Sequence, residues 1–203
     1  MDHAARPVPF HRRPEALAFL LLLALAAHAW VKWRLGTLPE LLWGCNVATF
    51  FLVAGLWTCS AALVGMAFLW HICVGDLAYL AGAVQQGHWG WSSVLVHSLP
   101  ALAGLVDLRR TGLPRSSPYL AFLMFVALVP LSHYLTPVSL NINLTHQRLM
   151  FLQRAFPGNW DYRIAFSVGL LGLLLAGDAL AARWFGRPEG GGPIPGRRAA
   201  ANP

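Results

Sequence analysis

Charge is what this sequence has least of. Only 11% of its 203 residues are Asp, Glu, Lys or Arg, and Asp and Glu together number 8. A soluble domain carries about 25% charged residues, so this chain lacks the polar surface that facing water requires. A water-soluble enzyme, a nucleic-acid binder and a disordered scaffold all fit it badly. Cysteine is nearly as sparse. Cys45, Cys59 and Cys73 fall within or at the ends of apolar segments, with no spacing that reads as a disulfide framework or a zinc site. An internal repeat, the mark of a transporter built from inverted halves, is missing. So is a small-residue cleavage site after the first apolar run, because Ala16 to Trp30 continues into Val31-Lys32-Trp33-Arg34 and reads as a retained helix.

Apolar length is what the chain has in quantity. Hydrophobic residues make up 57% of it, and mean hydropathy is +0.54. The net charge of +7 comes from basic residues placed between and beyond the apolar runs, which is how membrane proteins use them. A membrane span needs about 20 apolar residues, and six segments qualify: Glu15–Trp33, Leu41–Trp57, Ser60–Gly82, Trp89–Leu108, Pro118–Leu135 and Ile164–Phe185. Only Thr58 and Cys59 separate the second from the third, so a tight hairpin is required there. Pro100 and Pro130 interrupt two others, where neighbouring polar groups must satisfy the freed carbonyls. With six spans and an inner N-terminus, Lys and Arg divide ten inside to five outside, the favoured sign.

The expectation is therefore an all-α polytopic bundle of six transmembrane helices in the cell membrane, with both termini cytoplasmic. Residues 1–14 form a cytoplasmic segment, 15–185 the helical domain, and 186–203 a Gly-, Pro- and Arg-rich disordered tail. Between the last two spans, Leu149, Leu152 and Phe156 recur at helical spacing, as an amphipathic stretch at the interface would.

Polar groups inside the spans are costly and mark function by default. Cys45, Asn46 and Thr49 lie on the second span, His71, Cys73 and Asp76 on the third, Ser93 and His97 on the fourth, and His133 late in the fifth. At 1.5 Å per residue, Cys45, Thr49, Asp76, His97 and His71 lie between about 7 and about 16 Å from one face, and His133 about 4 Å from it. They converge on one half of the bundle. The bland alternative is packing: Gly75, Ala78 and Gly82 follow His71 as a stripe suited to close helix contact. Asp107 and His28 read as interface residues, and Asp178 lies near the opposite face.

Three stretches resemble YwaF-like integral membrane proteins: Leu38-Pro39-Glu40-Leu41-Leu42-Trp43-Gly44-Cys45-Asn46, Val94-Leu95-Val96-His97-Ser98-Leu99, and Asn143 to Leu152 with Met150-Phe151-Leu152. The chain departs from that pattern at Leu42 or Trp43, where the family carries a histidine, and at Arg148-Leu149, where it carries Asn-Tyr. The resemblance implies a six-helix bundle with an intramembrane site. Some relatives of that kind are cysteine-dependent lipid acyltransferases, and more distant androgen-induced membrane hydrolases cleave fatty esters with a threonine and a histidine.

The chemical expectation is lipid acyl transfer or fatty-ester hydrolysis. Cys45 or Thr49, four residues apart and hence on one helix face, would attack the acyl carbonyl. His97 would take the proton, Asn46 would donate to the oxyanion and Asp76 would orient a histidine. His71 and His133 would contact substrate. The expected partner is membrane lipid, without nucleic acid, cofactor or metal. Two alternatives use the same residues: a non-catalytic binding or transport cavity, and a haem protein with His71 and His97 as axial ligands.

Overall fold

The computed structural model describes residues 14–87, 89–146, 155–156 and 158–188, and among them every regular element is helical. Helix α1 (Pro14–Arg34) opens on proline, carries Glu15 in its first turn and has Lys32 and Arg34 in its last, all in the sense that complements the helix dipole. A 3-10 turn (Leu38–Leu42) containing Pro39 leads into α2 (Gly44–Trp57). Next comes one long rod made of α3 (Ala61–Trp70), a π-helical turn (His71–Gly75) and α4 (Asp76–Gln86), which stops at Gly87 in the left-handed conformation, φ +63°. Helices α5 (Trp91–Thr111) and α6 (Ser117–Leu135) follow. Two 3-10 turns, Val138–Leu140 and Ile142–Leu144, precede α7 (Asn159–Phe185).

Among the described residues, five helical stretches are long and apolar enough to cross a membrane: Pro14–Arg34, Ala61–Gln85, Trp91–Thr111, Ser117–Leu135 and Trp160–Phe185. The expected span Leu41–Trp57 takes a different form. Pro39 and an extended Trp43 (ψ 136°) confine its first residues to the 3-10 turn, and the 14 residues of α2 cover only about 21 Å of a hydrocarbon core about 30 Å thick. The last helix is longer than expected, starting at Asn159 rather than Ile164.

The surface bears out membrane character. Phe19, Leu20 and Leu23 on α1 and Ile164, Val168 and Leu180 on α7 are exposed apolar side chains. Exposed tryptophans gather at the helix ends, with Trp30, Trp33, Trp89, Trp91 and Trp160 at one end of the bundle and Trp57 and Trp184 at the other. This is the aromatic belt of membrane–water interfaces.

The required hairpin between α2 and α3 is a helix cap in miniature. Ser60 N–H donates to Gly55 O at 2.8 Å across Cys59, which is left-handed at φ 55°, the pattern that satisfies orphan carbonyls at a helix C-terminus. Ser60 then caps α3 through the Leu63 N–H. Leu52, Val53, Val64, Ala67, Leu69, Leu108, Ala121 and Leu174 form the centre of the core.

The described part of the C-terminal segment is tethered. Arg187 donates to Asp178 at 2.8 and 2.5 Å and to Leu113 O at 3.1 Å, while Leu113 N–H donates to Gly186 O. The carboxylate beside it holds the Arg187 guanidinium above its usual range. Asp107 is buried rather than interfacial, with Thr111 donating to its backbone carbonyl at 3.1 Å. Residues 1–13 of the expected N-terminal segment, His88, Leu149 and Leu152 of the amphipathic stretch, the Met150-Phe151-Leu152 motif and the tail from residue 189 lie outside the described residues.

Candidate functional site

The polar groups of three elements meet where the π-turn faces α2 and α5. In a regular α-helix, residues five apart point about 140° away from each other. The π-turn changes this: Asp76 N–H bonds to His71 O, and the wider turn brings both side chains to one face. Asp76 Oδ1 then lies 3.2 Å from His71 Nδ1 and 3.1 Å from His97 Nδ1 of α5. The other ring nitrogen of His71, Nε2, is 3.0 Å from Thr49 Oγ1. The Cys45 side chain sits against the same π-turn, facing Gly75, and neighbours the His97 ring.

One carboxylate thus supports two imidazoles, and each imidazole faces a different nucleophile. With a proton on each Nδ1, both rings donate to Asp76 Oδ1. Nε2 of His71 then accepts from Thr49, and Nε2 of His97 is left as an acceptor. This is the arrangement with the fewest buried charges, since only the carboxylate is ionised. Insertion scales put an aspartate at a helix centre at about 2.5–3.5 kcal/mol. Two hydrogen bonds to a charged group, at about 1.5–3 kcal/mol each, offset that cost.

Proline supplies another link. Pro100 has no N–H, so the Val96 carbonyl in α5 loses its intrahelical donor. Thr49 Oγ1 lies 3.5 Å from that carbonyl and 2.9 Å from Cys45 O. Tyr79 stacks on His97 at 4.3 Å between ring centres and 10° between planes, which fixes the imidazole.

Helix α2 is pressed onto the rod at two glycines. A Cβ on Gly44 would strike the Trp70 indole, and one on Gly75 would sit 3.2 Å from Cys45 Cβ. Of the small-residue stripe, only Gly75 makes this close contact. Ala78 is exposed, and a Cβ on Gly82 would meet open space. From the far side, Asn143 holds the start of α2. Its Oδ1 accepts the Gly44 N–H at 3.0 Å, and its Nδ2 donates to Leu42 O and Ser132 Oγ, both at 2.8 Å.

Of the residues expected from sequence, Cys45, Thr49, His71, Asp76 and His97 come together. Thr49 faces His71 rather than His97, so His71 holds a base position instead of a substrate contact. Asn46 is buried beside the group, but its Nδ2 donates to Glu40 O at 3.1 Å and its Oδ1 has no partner. His133 is exposed and packs against Tyr134 and His146, apart from the group. Exposure divides the group: the Thr49 residue is 0% exposed and the His71 side chain 0%, against 11% for the His97 side chain and 24% for that of Asp76, with Cys45 half-buried.

Sequence reasoning missed three participants: Asn143 as a clamp, Tyr79 as a stacking partner, and His28, which is buried and lies 3.1 Å from Ser92 Oγ. Pro100 did carry a usable signal, since a missing N–H predicts an unpaired carbonyl four residues earlier. No protein-family model, curated protein or solved structure matches this chain.

Proposed function

We propose that the protein performs acyl chemistry on a lipid ester inside the membrane, with Cys45 as nucleophile, His97 as base and Asp76 as the group that orients the base. The observation that carries this reading is the Asp76 Oδ1–Nδ1 contact of His97 at 3.1 Å. It leaves Nε2 for the thiol on the accessible side of the group. Nucleophile, base and orienter are the three parts that nucleophilic catalysis needs. The thiol loses its proton to His97, and the thiolate sulfur bonds to the acyl carbon. The leaving alkoxide takes the proton back from His97 as the ester C–O bond breaks. Water or a second lipid alcohol then resolves the thioester, giving hydrolysis or transfer.

Further support comes from the YwaF-like motifs, because the Cys-Asn and histidine stretches that carry the resemblance supply Cys45 and His97. On the same reading α2 and the turn before it count as a short sixth pass, both termini face the cytoplasm, and the bundle sits in the cell membrane with lipid as its partner.

Thr49 is the alternative nucleophile, favoured by its 3.0 Å contact with His71. Its burial and its second contact with the Cys45 carbonyl count against it. The haem reading has little room, since the nitrogen that His71 would offer to iron, Nε2, lies 3.0 Å from the buried Thr49 Oγ1.

The test is an acyl adduct. Full-length protein in nanodiscs, treated with a lipid-tailed thiol-reactive ester, is expected to carry acyl mass on Cys45. His97→Ala should lower the labelling rate about 10²–10⁴-fold, the usual worth of general-base assistance. Label on Thr49 that survives Cys45→Ala would transfer the role to threonine. Absence of adduct on either residue would leave a binding or transport cavity.

A further inference from the structure

We propose that His71, Asp76 and His97 are also a binding site for a divalent transition metal, Zn²⁺ above all, and that its occupancy switches the acyl chemistry off. The second half of this inference rests on the function proposed for Cys45 and His97, whereas the first half stands on geometry alone.

The three donor atoms lie within 4.8 Å of one another, and each nitrogen is 3.1–3.2 Å from the shared oxygen. Tetrahedral zinc, with bonds of about 2.0–2.1 Å, holds its ligands about 3.3–3.4 Å apart. The two nitrogen–oxygen edges are thus within a few tenths of an ångström of that spacing, and the two nitrogens, within 4.8 Å of each other, need close by no more than about 1.4 Å to complete the trio. Two imidazoles and one carboxylate form a borderline donor set that suits zinc and excludes calcium or magnesium, which take oxygen shells.

The hydrogen bonds around the trio point the same way. In the metal-free arrangement the single Thr49 hydroxyl proton has three acceptors in reach, His71 Nε2 at 3.0 Å, Cys45 O at 2.9 Å and Val96 O at 3.5 Å, and must be shared among them. With a metal on His71 Nδ1, the neutral ring carries its proton on Nε2 and donates to Thr49 Oγ1. Thr49 then donates to Cys45 O. The metal-bound histidine then has the outer hydrogen bond that such ligands almost always make. Tyr79 holds the other ring by stacking. Cys45 lies on α2 against the π-turn, outside the trio, and a swing of its side chain into the open fourth position would bring the site to zero net charge: two positive on the ion, one negative each on Asp76 and the thiolate.

A bound ion removes the catalytic parts together. It occupies Nδ1 of His97 and Oδ1 of Asp76. It leaves a proton on Nε2, so the ring cannot accept one, and it holds the thiolate as a ligand.

The experiment uses the full chain, purified in detergent with a chelator, then equilibrated with ZnCl₂ and desalted. Mass-spectrometric metal analysis should find one zinc per chain. His71→Ala, Asp76→Asn and His97→Ala should each weaken zinc affinity at least 10-fold, and His133→Ala should not. Zinc should slow maleimide alkylation of Cys45 at least 10-fold in the unaltered protein and not in Asp76→Asn, whose thermal unfolding is followed to confirm that it folds. Absence of retained zinc, or retention indifferent to all three substitutions, overturns the site. Zinc that binds as described but leaves acyl labelling unchanged or raises it overturns the switch. Zinc binding and protection of Cys45 in a chain that never forms an acyl adduct would uphold the metal site while refuting the proposed function.

Discussion

The side-chain carbonyl of Asn143 accepts the backbone N–H of Gly44 at 3.0 Å, joining residues 99 apart in sequence. Gly44 is the first residue of α2, so its N–H is one of the orphan donors of a helix N-terminus, and the residue after it is Cys45. Asn143 reaches this place from a left-handed backbone, φ 51°, in the segment after α6. That segment therefore sets where the thiol begins.

Asn143→Ala would leave the Gly44 N–H, the Leu42 carbonyl and the Ser132 hydroxyl without that partner. Each buried group left unsatisfied costs about 1–3 kcal/mol. Thermal unfolding in detergent should show a clear loss of stability, and Cys45 alkylation should quicken as the start of α2 loosens. Stability equal to that of the unaltered chain would show the clamp to be dispensable.

Thr49→Val keeps the shape of the side chain and removes its hydroxyl, stripping His71 Nε2 and the Val96 carbonyl of a neighbour. Stability should fall by about 1–3 kcal/mol, while Thr49→Ser should stay close to the unaltered protein. If Cys45 is the nucleophile, acyl labelling of Cys45 should persist in the valine variant, which has no hydroxyl to acylate. Chemical denaturation and labelling, measured on the same preparations, check both halves.

At the other end of the bundle, Asp178 and Arg187 form a two-pronged ion pair. Arg187→Met would leave the Asp178 carboxylate, only 10% exposed, without its partner. Breaking a fully buried pair costs about 3–5 kcal/mol. Since the Arg187 side chain is 29% exposed, a loss of about 1–3 kcal/mol is expected. The double variant Asp178→Leu with Arg187→Met should recover part of it. A double variant weaker than the single one would show that the arginine's bond to Leu113 O matters more than the charge pair.

Sidedness is testable with single cysteines placed in a chain whose native cysteines are replaced. Val138 follows α6 and Arg115 precedes it, and both are exposed. A membrane-impermeant maleimide applied to intact cells should label Val138→Cys, while Arg115→Cys should need permeabilised cells. The reverse pattern would invert the orientation proposed from the Lys and Arg count.

The helical class was legible because apolar runs of span length leave no other way to satisfy a backbone in lipid. The meeting of Cys45, Thr49, Asp76 and His97 was legible as depth, since rise per residue converts sequence position into height. Azimuth was not. Depth arithmetic cannot tell which ring faces Thr49, and it assigned His97 where the structure has His71. It placed His133 near the group by height, though that side chain turns towards His146. The shortness of α2 was hidden because Leu41 and Leu42 are as apolar as a helix requires, while Pro39 and the extended Trp43 spend them on a tighter turn. Asn143 lies 99 residues from its partner, and no local pattern announces a bond of that range.

The π-turn at His71–Gly75 amounts to one surplus residue in an otherwise regular rod. Straightening the rod into an ordinary helix with every residue kept would rotate everything from Asp76 to Gln86 by about 100° about the axis. The lower half would keep its packing against α2, α5 and α6, while the upper half would turn the carboxylate away from both imidazoles and Tyr79 away from His97. The rod is thus two surfaces of unlike orientation joined by a one-residue phase shift, the first matched to the core and the second to the chemistry.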